Sequence, residues 1–392
     1  MDGERMERIR KGMAEAGLDA MVCRLPENVL FLSGYWPMAA LSLVFLPRDG
    51  KPVCIAPDTE QQEASEELAE VSLQTFPYGR LGTADFYPSV EGLLRDLSRG
   101  KGIQRIGFEG SFEVVSPGGN AGEPVTVSAR MRALYASIWG EAALVDATDL
   151  LRALRVRKTP AEAQRIRRAN EISRFGLQAF SDLAVPGRTG VDLVAEVESA
   201  IVKQGTGYQG ARRVRAFAQV AAGREETALA WRPMEISTRR PLESGDFVVL
   251  ELGVVADGYW SDRTRTRVAG EATARQQEVF DQVRQDQEAA ISAVRIGIRA
   301  SAVDAAARDV LNRHGLSKEF LHITGHGVGF SYHEPGSFLS PGSGTVLQEG
   351  MIFSVEPGVY ASKHGGVRLE DNVLVTLQGG EVLGPFDKKL TG

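Results

Sequence analysis

The chain has 392 residues, of which 43% are hydrophobic and 24% are charged, and its formal net charge is −6 at pH 7. This length exceeds what a single compact core holds, since such cores stop growing at roughly 250 to 300 residues, and the composition excludes a disordered chain. The acidic balance and the dispersed arginines disfavour nucleic acid as a partner, because phosphate binding needs a concentrated cationic face.

The N-terminal part of the chain shows helix and strand patterns in alternation. Residues 4–16 have apolar side chains at helical spacing, and Gly17 is placed to end that helix. The stretch DAMVCRL predicts a buried strand, and LSLVFLPRDGKPVCIAP predicts a hairpin that turns at Asp49 and Gly50. We expect one mixed α/β domain over residues 1–152.

From Asp146 the pattern becomes strongly helical, which places a domain boundary between residues 152 and 153. Thr159 is able to cap a helix that has Pro160 at its first position. The later elements predicted are helices at about 190–204, 274–295 and 301–314, a strand pair at 248–262, and strand-rich structure from 321 onward. We therefore expect a second, larger domain over residues 153–392.

The cysteines and the hydropathy pattern bear on where the protein works. Cys23 and Cys54 both stand in apolar surroundings, which predicts buried free thiols and suits a reducing cytoplasm. No stretch of about 18 apolar residues occurs, so we expect a soluble cytoplasmic protein that does not span a membrane.

Acidic residues interrupt the apolar strand patterns of the second domain. The four that stand in or beside such runs are Glu251, Asp262, Glu356 and Glu370. All five histidines lie beyond residue 313, and the segment LHITGHGVGFSYHEP contains three of them, His322, His326 and His333. The glycines of that segment disfavour a continuous helix, so we expect a glycine-rich segment that presents imidazoles.

Buried ionised carboxylates require nearby positive charge, because each costs several kcal/mol unless it is paired or bound to a cation. Arginines could supply this charge as a structural ion-pair network, and the nearest in sequence are Arg263, Arg265 and Arg368. Alternatively, the carboxylates and one imidazole could hold a metal ion such as Mn, Co, Zn or Fe, which these donors suit. Each acid considered alone favours the first interpretation, and the ordered set favours the second.

The order of these motifs resembles the catalytic half of the metallopeptidase family that contains methionine aminopeptidase, aminopeptidase P and prolidase. The matching motifs are SDRTRT at 261–266, TGHGVG with HEP at 324–335, SVEPGVY at 354–360 and GGVRLEDNV at 365–373. The resemblance implies an α+β protein in which a smaller creatinase-like α/β domain precedes a pita-bread catalytic domain. Because simple methionine aminopeptidases lack the first domain, the resemblance lies with the proline-specific branch.

The resemblance implies a dinuclear metal centre. Asp262 and Glu370 would bridge two divalent ions, and His326 and Glu356 would bind one of them. Glu251 would bind the other ion, at a position where the family uses Asp. Manganese is the first expectation, with cobalt or zinc as alternatives.

The resemblance also implies roles in catalysis and substrate binding. The catalytic residues would be Glu356, His333 and His322, and the substrate-binding residues would be His322, His333, Arg368 and Tyr332. Proline-specific members usually carry a further histidine upstream of the first metal-binding acid. This chain has no histidine before His314, and it offers Trp231 and Arg232 near that place.

The implied activity is hydrolysis of the Xaa-Pro bond of dipeptides, as in prolidase, by a hydroxide held between the two metal ions. The alternatives are an aminopeptidase P that acts on longer Xaa-Pro peptides, and a catalytically impaired member that serves as a binding module. Creatinase shares the two-domain plan without a metal, and the nearly intact acid set disfavours it. The resemblance further implies small peptide partners with proline in the second position, and a homodimer.

Overall fold

The computed structural model describes residues 2–68, 70–79, 85–111, 129–232 and 237–391. The chain divides into two compact units, and one unit gives way to the other between Arg155 and Val156. The domain boundary drawn from the sequence, between residues 152 and 153, stays a prediction, because compactness does not establish where an independently folding domain ends.

The first unit is built on a six-stranded mixed sheet in the order β4-β3-β2-β1-β5-β6. The elements in chain order are α1 (Gly3–Glu15), β1 (Ala20–Cys23), α2 (Pro26–Ser33), β2 (Leu43–Pro47), β3 (Val53–Pro57), α3 (Gln61–Glu67), β4 (Ser72–Phe76), α4 (Phe86–Ser98), β5 (Ile106–Phe108), α5 (Ala129–Trp139), β6 (Leu144–Asp146) and α6 (Thr148–Val156). Strand β1 pairs antiparallel with β2 and parallel with β5. The predicted first helix, the strand in DAMVCRL and the hairpin that follows it are confirmed.

The second unit contains longer helices and three separate sheets among its described residues. The helices are α7 (Pro160–Leu183), α8 (Gly190–Gly205), α9 (Gly223–Thr227), α10 (Ala274–Ala293) and α11 (Ala300–Arg313). The strands are β7 (Val214–Ala222), β8 (Phe247–Ala256), β9 (Tyr259–Val268), β10 (Gly325–Gly327), β11 (Glu334–Leu339), β12 (Ile352–Val355), β13 (Gly358–Ala361), β14 (Gly365–Arg368), β15 (Asp371–Thr376) and β16 (Gly379–Val382). The sheets have the strand orders β7-β8-β9, β11-β10-β12-β15-β16 and β13-β14.

Local capping explains where the long helices of this unit begin. The Thr159 side chain accepts from the backbone N–H of Glu162, whose carboxylate accepts in return from the Thr159 N–H, and Pro160 occupies the first turn. Capping boxes on Thr189 and Thr273 begin α8 and α10 in the same way. Each such cap contributes about 1 kcal/mol. The helices predicted from the sequence in this half are confirmed.

The hairpin of β8 and β9 determines which way its acidic side chains point. The turn at residues 257–258 has φ angles of 49° and 86°, the left-handed conformation that a tight hairpin requires. The register places Glu251 opposite Thr264. Two residues further along β8, Gly253 lies opposite Asp262. Since side chains alternate along a strand and paired residues share a face, these four positions face the same side of the sheet.

The opposite face of this hairpin is apolar. Alternate residues of β8, from Val248 to Ala256, are buried in one core with α7 and α8. A second core joins α10 and α11 to the strands that follow them in the chain. Burial of the even-numbered residues of β8 thus directs Glu251 away from α7 and α8.

Within the described part of the chain, every helix is too short or too polar to cross a membrane.

Candidate metal centre

Four carboxylates and two imidazoles of the second unit converge. Their ligand atoms form three overlapping groups, each within 4.8 Å: Asp262 with His326 and His333, His326 with Glu356 and Glu370, and Glu251 with Asp262 and Glu370. The structure therefore brings together all five residues that the resemblance implies as metal ligands. His333 joins them, and His322 does not belong to any of these groups.

Two backbone connections fix the acids that are expected to bridge the metals. The N–H of Asp262 donates to Asn372 Oδ1, and Asn372 Nδ2 donates back to the carbonyl of Asp262, both at 3.0 Å. Glu370 lies between β14 and β15, and its N–H donates to the Thr264 carbonyl at 3.1 Å. The sequence reasoning did not identify Asn372, although a buried amide within the apolar run DNVLV was the available signal.

Three of the four carboxylate oxygens of these two acids lack hydrogen-bond partners among the described residues, and the fourth, Glu370 Oε2, accepts from Thr264 Oγ1 at 2.8 Å. Both carboxylate oxygens of Asp262 and Oε1 of Glu370 are buried, and none has a hydrogen-bond partner among the described residues. Burial and then the charge of Glu251 raise the pKa of Asp262 to about 7. Burial and then the charge of Asp262 raise the pKa of Glu370 well above its ordinary value. Because a divalent cation would supply both the missing charge and the missing partner, these residues fit a metal ion.

His326 and Glu356 complete one side of the cluster. His326 Nδ1 lies 3.0 Å from the Gly327 carbonyl, which can only accept, so Nδ1 carries the proton and Nε2 is free to bind a metal. Nε2 lies 3.3 Å from Glu356 Oε1 and 3.4 Å from Asp262 Oδ2. The Ser354 hydroxyl accepts from the His326 N–H and donates to Glu356 Oε1, both at 3.1 Å, and so holds the two together.

Glu251 differs from the other acids because both of its oxygens have protein partners. Oε1 accepts from the Tyr332 hydroxyl at 2.5 Å, and Oε2 lies 2.5 Å from Arg368 Nη2 and 2.6 Å from Thr264 Oγ1. Gly253 makes room for the tyrosine, since a Cβ there would lie 2.6 Å from Tyr332 Cε2. Burial is the largest single influence and opposes the charge of Glu251, but the Arg368 guanidinium together with the hydrogen bonds from Thr264 and Tyr332 outweighs it, and the pKa of this carboxyl falls to about 2.

The three arginines near these acids in sequence form ion pairs with two different carboxylates. Arg368 forms an ion pair with Glu251. Arg263 and Arg265 each pair with Asp371 at 2.7 Å instead. The ion-pair interpretation of the four acids therefore applies to Glu251. Within the described part of the chain, Asp262, Glu356 and Glu370 form no arginine ion pair, so no arginine competes directly with a cation for these three carboxylates.

His322 lies apart from the cluster and is held by hydrogen bonds at both ring nitrogens. Its Nδ1 donates to the Ile323 carbonyl at 2.7 Å, so its Nε2 accepts from the Tyr360 hydroxyl at 2.9 Å. The same hydroxyl accepts from Arg368 Nη1 at 3.0 Å. Burial, followed by the charge of Arg368, lowers the pKa of His322 to about 3, so the ring is neutral. The sequence reasoning missed Tyr360, which stands in the motif SVEPGVY.

His333 is the more accessible imidazole of the cluster. Its side chain is 24% exposed, against 7% for His326, and its Nε2 lies 3.5 Å from Asp262 Oδ2. The His333 ring contacts the rings of His326 and Tyr332, with centroids 4.1 and 4.6 Å away. His333 therefore lies between the buried acids and the solvent-accessible side of the site.

Proline-specific members usually carry a histidine upstream of the first metal-binding acid, and this chain has Trp231 and Arg232 near that position. Trp231 is exposed, and the Arg232 guanidinium lies over its ring at 5.6 Å. The carbonyl of Ala230 accepts from Arg368 Nη1 at 2.7 Å, which ties this segment to the ion pair of Glu251. Residues 233–236 lie outside the described part of the chain.

Comparisons with known proteins find relatives that match along the whole length of the chain. Residues 164–377 match the model of metallopeptidase family M24, and residues 5–157 match that of the creatinase/prolidase N-terminal domain. An Xaa-Pro dipeptidase of Pyrococcus furiosus is 30% identical, with 99% of each chain covered. The crystal structure of the prolidase from Pyrococcus horikoshii superimposes with a TM-score of 0.80 at 26% identity, covering 99% of this chain and 100% of that one. An X-Pro aminopeptidase from Thermotoga maritima shares the fold at 24% identity, with a TM-score of 0.79 and coverage of 97% and 99%.

These matches confirm the expected fold, a pita-bread domain preceded by a creatinase-like domain. They also imply that the chain works with divalent metal ions, which the donor set can hold. The chain therefore belongs to metallopeptidase family M24.

Proposed function

We propose that this chain is an Xaa-Pro dipeptidase, which hydrolyses dipeptides that have proline in the second position. The observation that carries the proposal is the convergence of four carboxylates and His326 around oxygens of Asp262 and Glu370 that lack hydrogen-bond partners among the described residues. The substrate class is supported by the P. furiosus relative, which is named an Xaa-Pro dipeptidase and matches over 99% of its length.

We propose five residues as ligands of two divalent ions, with manganese first and cobalt or zinc as alternatives. Asp262 and Glu370 would be shared, His326 and Glu356 would bind one ion, and Glu251 would bind the other. When bound, such ions lower the pKa of water and polarise the scissile carbonyl. Carboxylate and imidazole donors suit all three metals.

Among the four acids, we select Glu356 as the group that would exchange protons with a substrate. Its side chain is 15% exposed, against 1% for Asp262. Glu251 is comparably exposed, but Arg368 engages it. We propose that Glu356 accepts the proton of the attacking water and passes it to the leaving proline nitrogen. His333 Nε2 would donate a hydrogen bond to the carbonyl oxygen as negative charge develops there.

The other expected substrate-binding residues would act less directly. Arg368 and Tyr332 are buried, and each donates a hydrogen bond to Glu251. His322 Nε2 accepts a hydrogen bond from the Tyr360 hydroxyl. We propose that these three side chains hold the wall of the substrate site, while His333 makes the direct contact.

The cellular compartment and the oligomeric state are the next features. We propose a cytoplasmic homodimer that acts on small peptides. The buried free thiols of Cys23 and Cys54 support a reducing compartment. Light scattering at micromolar concentration would contradict the dimer if it showed only a monomer.

Parallel assays of Ala-Pro, Gly-Pro and the tripeptide Ala-Pro-Ala with manganese test the activity. We expect both dipeptides to be cleaved, and Glu356→Gln to lower kcat by roughly 10²-fold or more. Glu349→Gln, at an exposed position, is the matched control and should retain activity. Turnover of the tripeptide alone would indicate an aminopeptidase P. A protein that binds no ion and cleaves nothing with any divalent cation would be a binding module.

A further inference from the structure

An ion pair on α11 lies outside the metal cluster and yet contacts the segment that leads into it. Arg308 Nε donates to Asp304 Oδ2 at 2.8 Å, and Arg308 Nη2 lies 3.2 Å from Asp304 Oδ1. An exposed pair at this i,i+4 spacing contributes only about 0.2–0.5 kcal/mol to a helix. This pair differs because Asp304 is buried and because both residues have further partners.

Arg308 holds the chain at His322. Its Nη2 donates to the His322 carbonyl at 2.7 Å. Its guanidinium carbon lies 4.2 Å from the centre of the Phe320 ring, and Phe320 meets the His322 ring edge to face at 5.2 Å. The guanidinium therefore fixes the backbone of His322 directly and restrains its ring through Phe320.

Asp304 holds the chain two residues further on. Its Oδ1 accepts from the Thr324 hydroxyl at 2.8 Å. The carbonyl of Thr324 in turn accepts from the backbone N–H of Glu356 at 2.8 Å. The segment from His322 to Thr324 is thus clamped between α11 and a residue of the metal cluster, directly before His326.

The charges around the pair favour this clamp. Asp286 on α10 faces it and is buried, and both of its oxygens lack hydrogen-bond partners within the described part of the chain. Burial raises the pKa of Asp286 to about 8, against the attraction of Arg308 and with the repulsion of Asp304. Arg308 is hydrogen-bonded to Asp304 and not to Asp286, and the oxygens of Asp304 bond both the guanidinium and the Thr324 hydroxyl.

We propose that Arg308 and Asp304 are positioning residues that set the placement of His322 and Glu356. A displacement of about 1 Å in a reacting group can cost 10²-fold in rate, so a clamp of this kind matters for turnover. The inference rests on the proposed function, because it takes Glu356 as the proton acceptor and His322 as part of the wall of the substrate site.

Two substitutions of Arg308 test the clamp kinetically. Arg308→Met removes the charge and all the hydrogen bonds of the guanidinium, and Arg308→Lys keeps the charge but loses the planar fork that bonds two oxygens at once. With Ala-Pro and manganese, we expect kcat to fall roughly 10- to 100-fold in Arg308→Met with KM little changed, and less in Arg308→Lys. The control is Arg284→Met on α10, whose side chain is 36% exposed, against 29% for Arg308, and pairs only with acids of its own helix among the described residues. Its kcat should stay within about twofold of the native value, as expected for a surface substitution.

A spectroscopic readout separates this inference from the proposed function. The chain has five histidines, so their ring resonances can be followed in histidine-labelled protein, with His322 assigned by the loss of its signal in His322→Gln. In Arg308→Met we expect the His322 resonances to shift or broaden while those of His314 stay in place. Unchanged His322 resonances would overturn the inference, as would a loss of kcat equally large in Arg284→Met.

The cleavage assay and the His322 resonances test the two proposals separately. A native protein that does not cleave Ala-Pro would refute the proposed function, whereas the resonance comparison would still decide whether Arg308 positions His322. Should Arg308→Met not fold, Arg308→Lys decides the question, because it retains the charge opposite Asp304.

Discussion

Replacement of Glu251 by Asp should raise the affinity of the centre for its second divalent ion. In the native chain Tyr332 donates to one oxygen of Glu251, and Arg368 pairs with the other, both at 2.5 Å. Aspartate is shorter by one carbon–carbon bond, about 1.5 Å. The same contacts would stretch beyond hydrogen-bond distance, and the carboxylate oxygens would become available to a cation.

The expected gain in affinity for the second ion follows from the strength of the contact between Arg368 and Glu251, which competes with the metal. A hydrogen bond to a charged group contributes about 1.5–3 kcal/mol. Since 1.4 kcal/mol corresponds to a factor of ten, release of the carboxylate from Arg368 should strengthen binding of the second ion roughly 10- to 100-fold. We expect the lower end of this range, because Arg368 is buried and loses its own partner in the exchange.

Titration of the metal-free protein with Mn²⁺, followed by the electron paramagnetic resonance signal of the free ion, measures both dissociation constants. The first should be nearly unchanged in Glu251→Asp, and the second should fall. Glu278→Asp, at an exposed position of α10, is the control for the same chemical change. The reasoning would be refuted if the second ion bound Glu251→Asp no more tightly than the native chain.

Three further substitutions have defined outcomes. Lys158→Met should lower the free energy of unfolding by about 3–5 kcal/mol in urea, because it leaves Glu334 buried without its ion-pair partner. Adding Glu334→Gln should restore part of that loss, and no restoration would contradict the pairing. Asp286→Asn should gain stability relative to the native chain as pH rises from about 4 to about 8. The reason is that burial raises the pKa of Asp286 to about 8 in the folded chain, so the native protein loses stability over that window. A difference in thermal midpoint that is the same at pH 5 and pH 9 would count against this. Gly253→Ala should destabilise the fold by about 1–3 kcal/mol and lower kcat, because its Cβ would lie 2.6 Å from Tyr332 Cε2; an unchanged thermal midpoint would argue against the close contact.

The elements that the sequence predicted well depend on neighbouring residues. The capping box of Thr159 and Glu162 and the tight turn at residues 257–258 join groups that are at most three residues apart. Alternation along β8 then determines which side Glu251 faces. For this reason the helices of the second unit and the central hairpin could be predicted without tertiary information.

The partners of the site residues could not be predicted in this way. Arg368 was expected to bind substrate or to join an ion-pair network, and only the fold selects its partner, Glu251, which lies 117 residues away. Tyr360 and Asn372 were not identified, because their hydrogen bonds to His322 and Asp262 also join distant parts of the chain. The metal-binding and catalytic roles of the site residues stay predictions until ions and substrates are measured.

By itself the sequence determined the order of the helices and strands, the family, and the set of donors, because caps, turns, periodicity and motifs are written in neighbouring residues. Only the tertiary structure decided how charge is distributed among the acids. It left the oxygens of Asp262 without hydrogen-bond partners among the described residues, and it joined Glu251 to Arg368. The physical reason is that the electrostatic environment of a buried carboxylate depends on which charges fold against it, and those charges come from strands far apart in the chain.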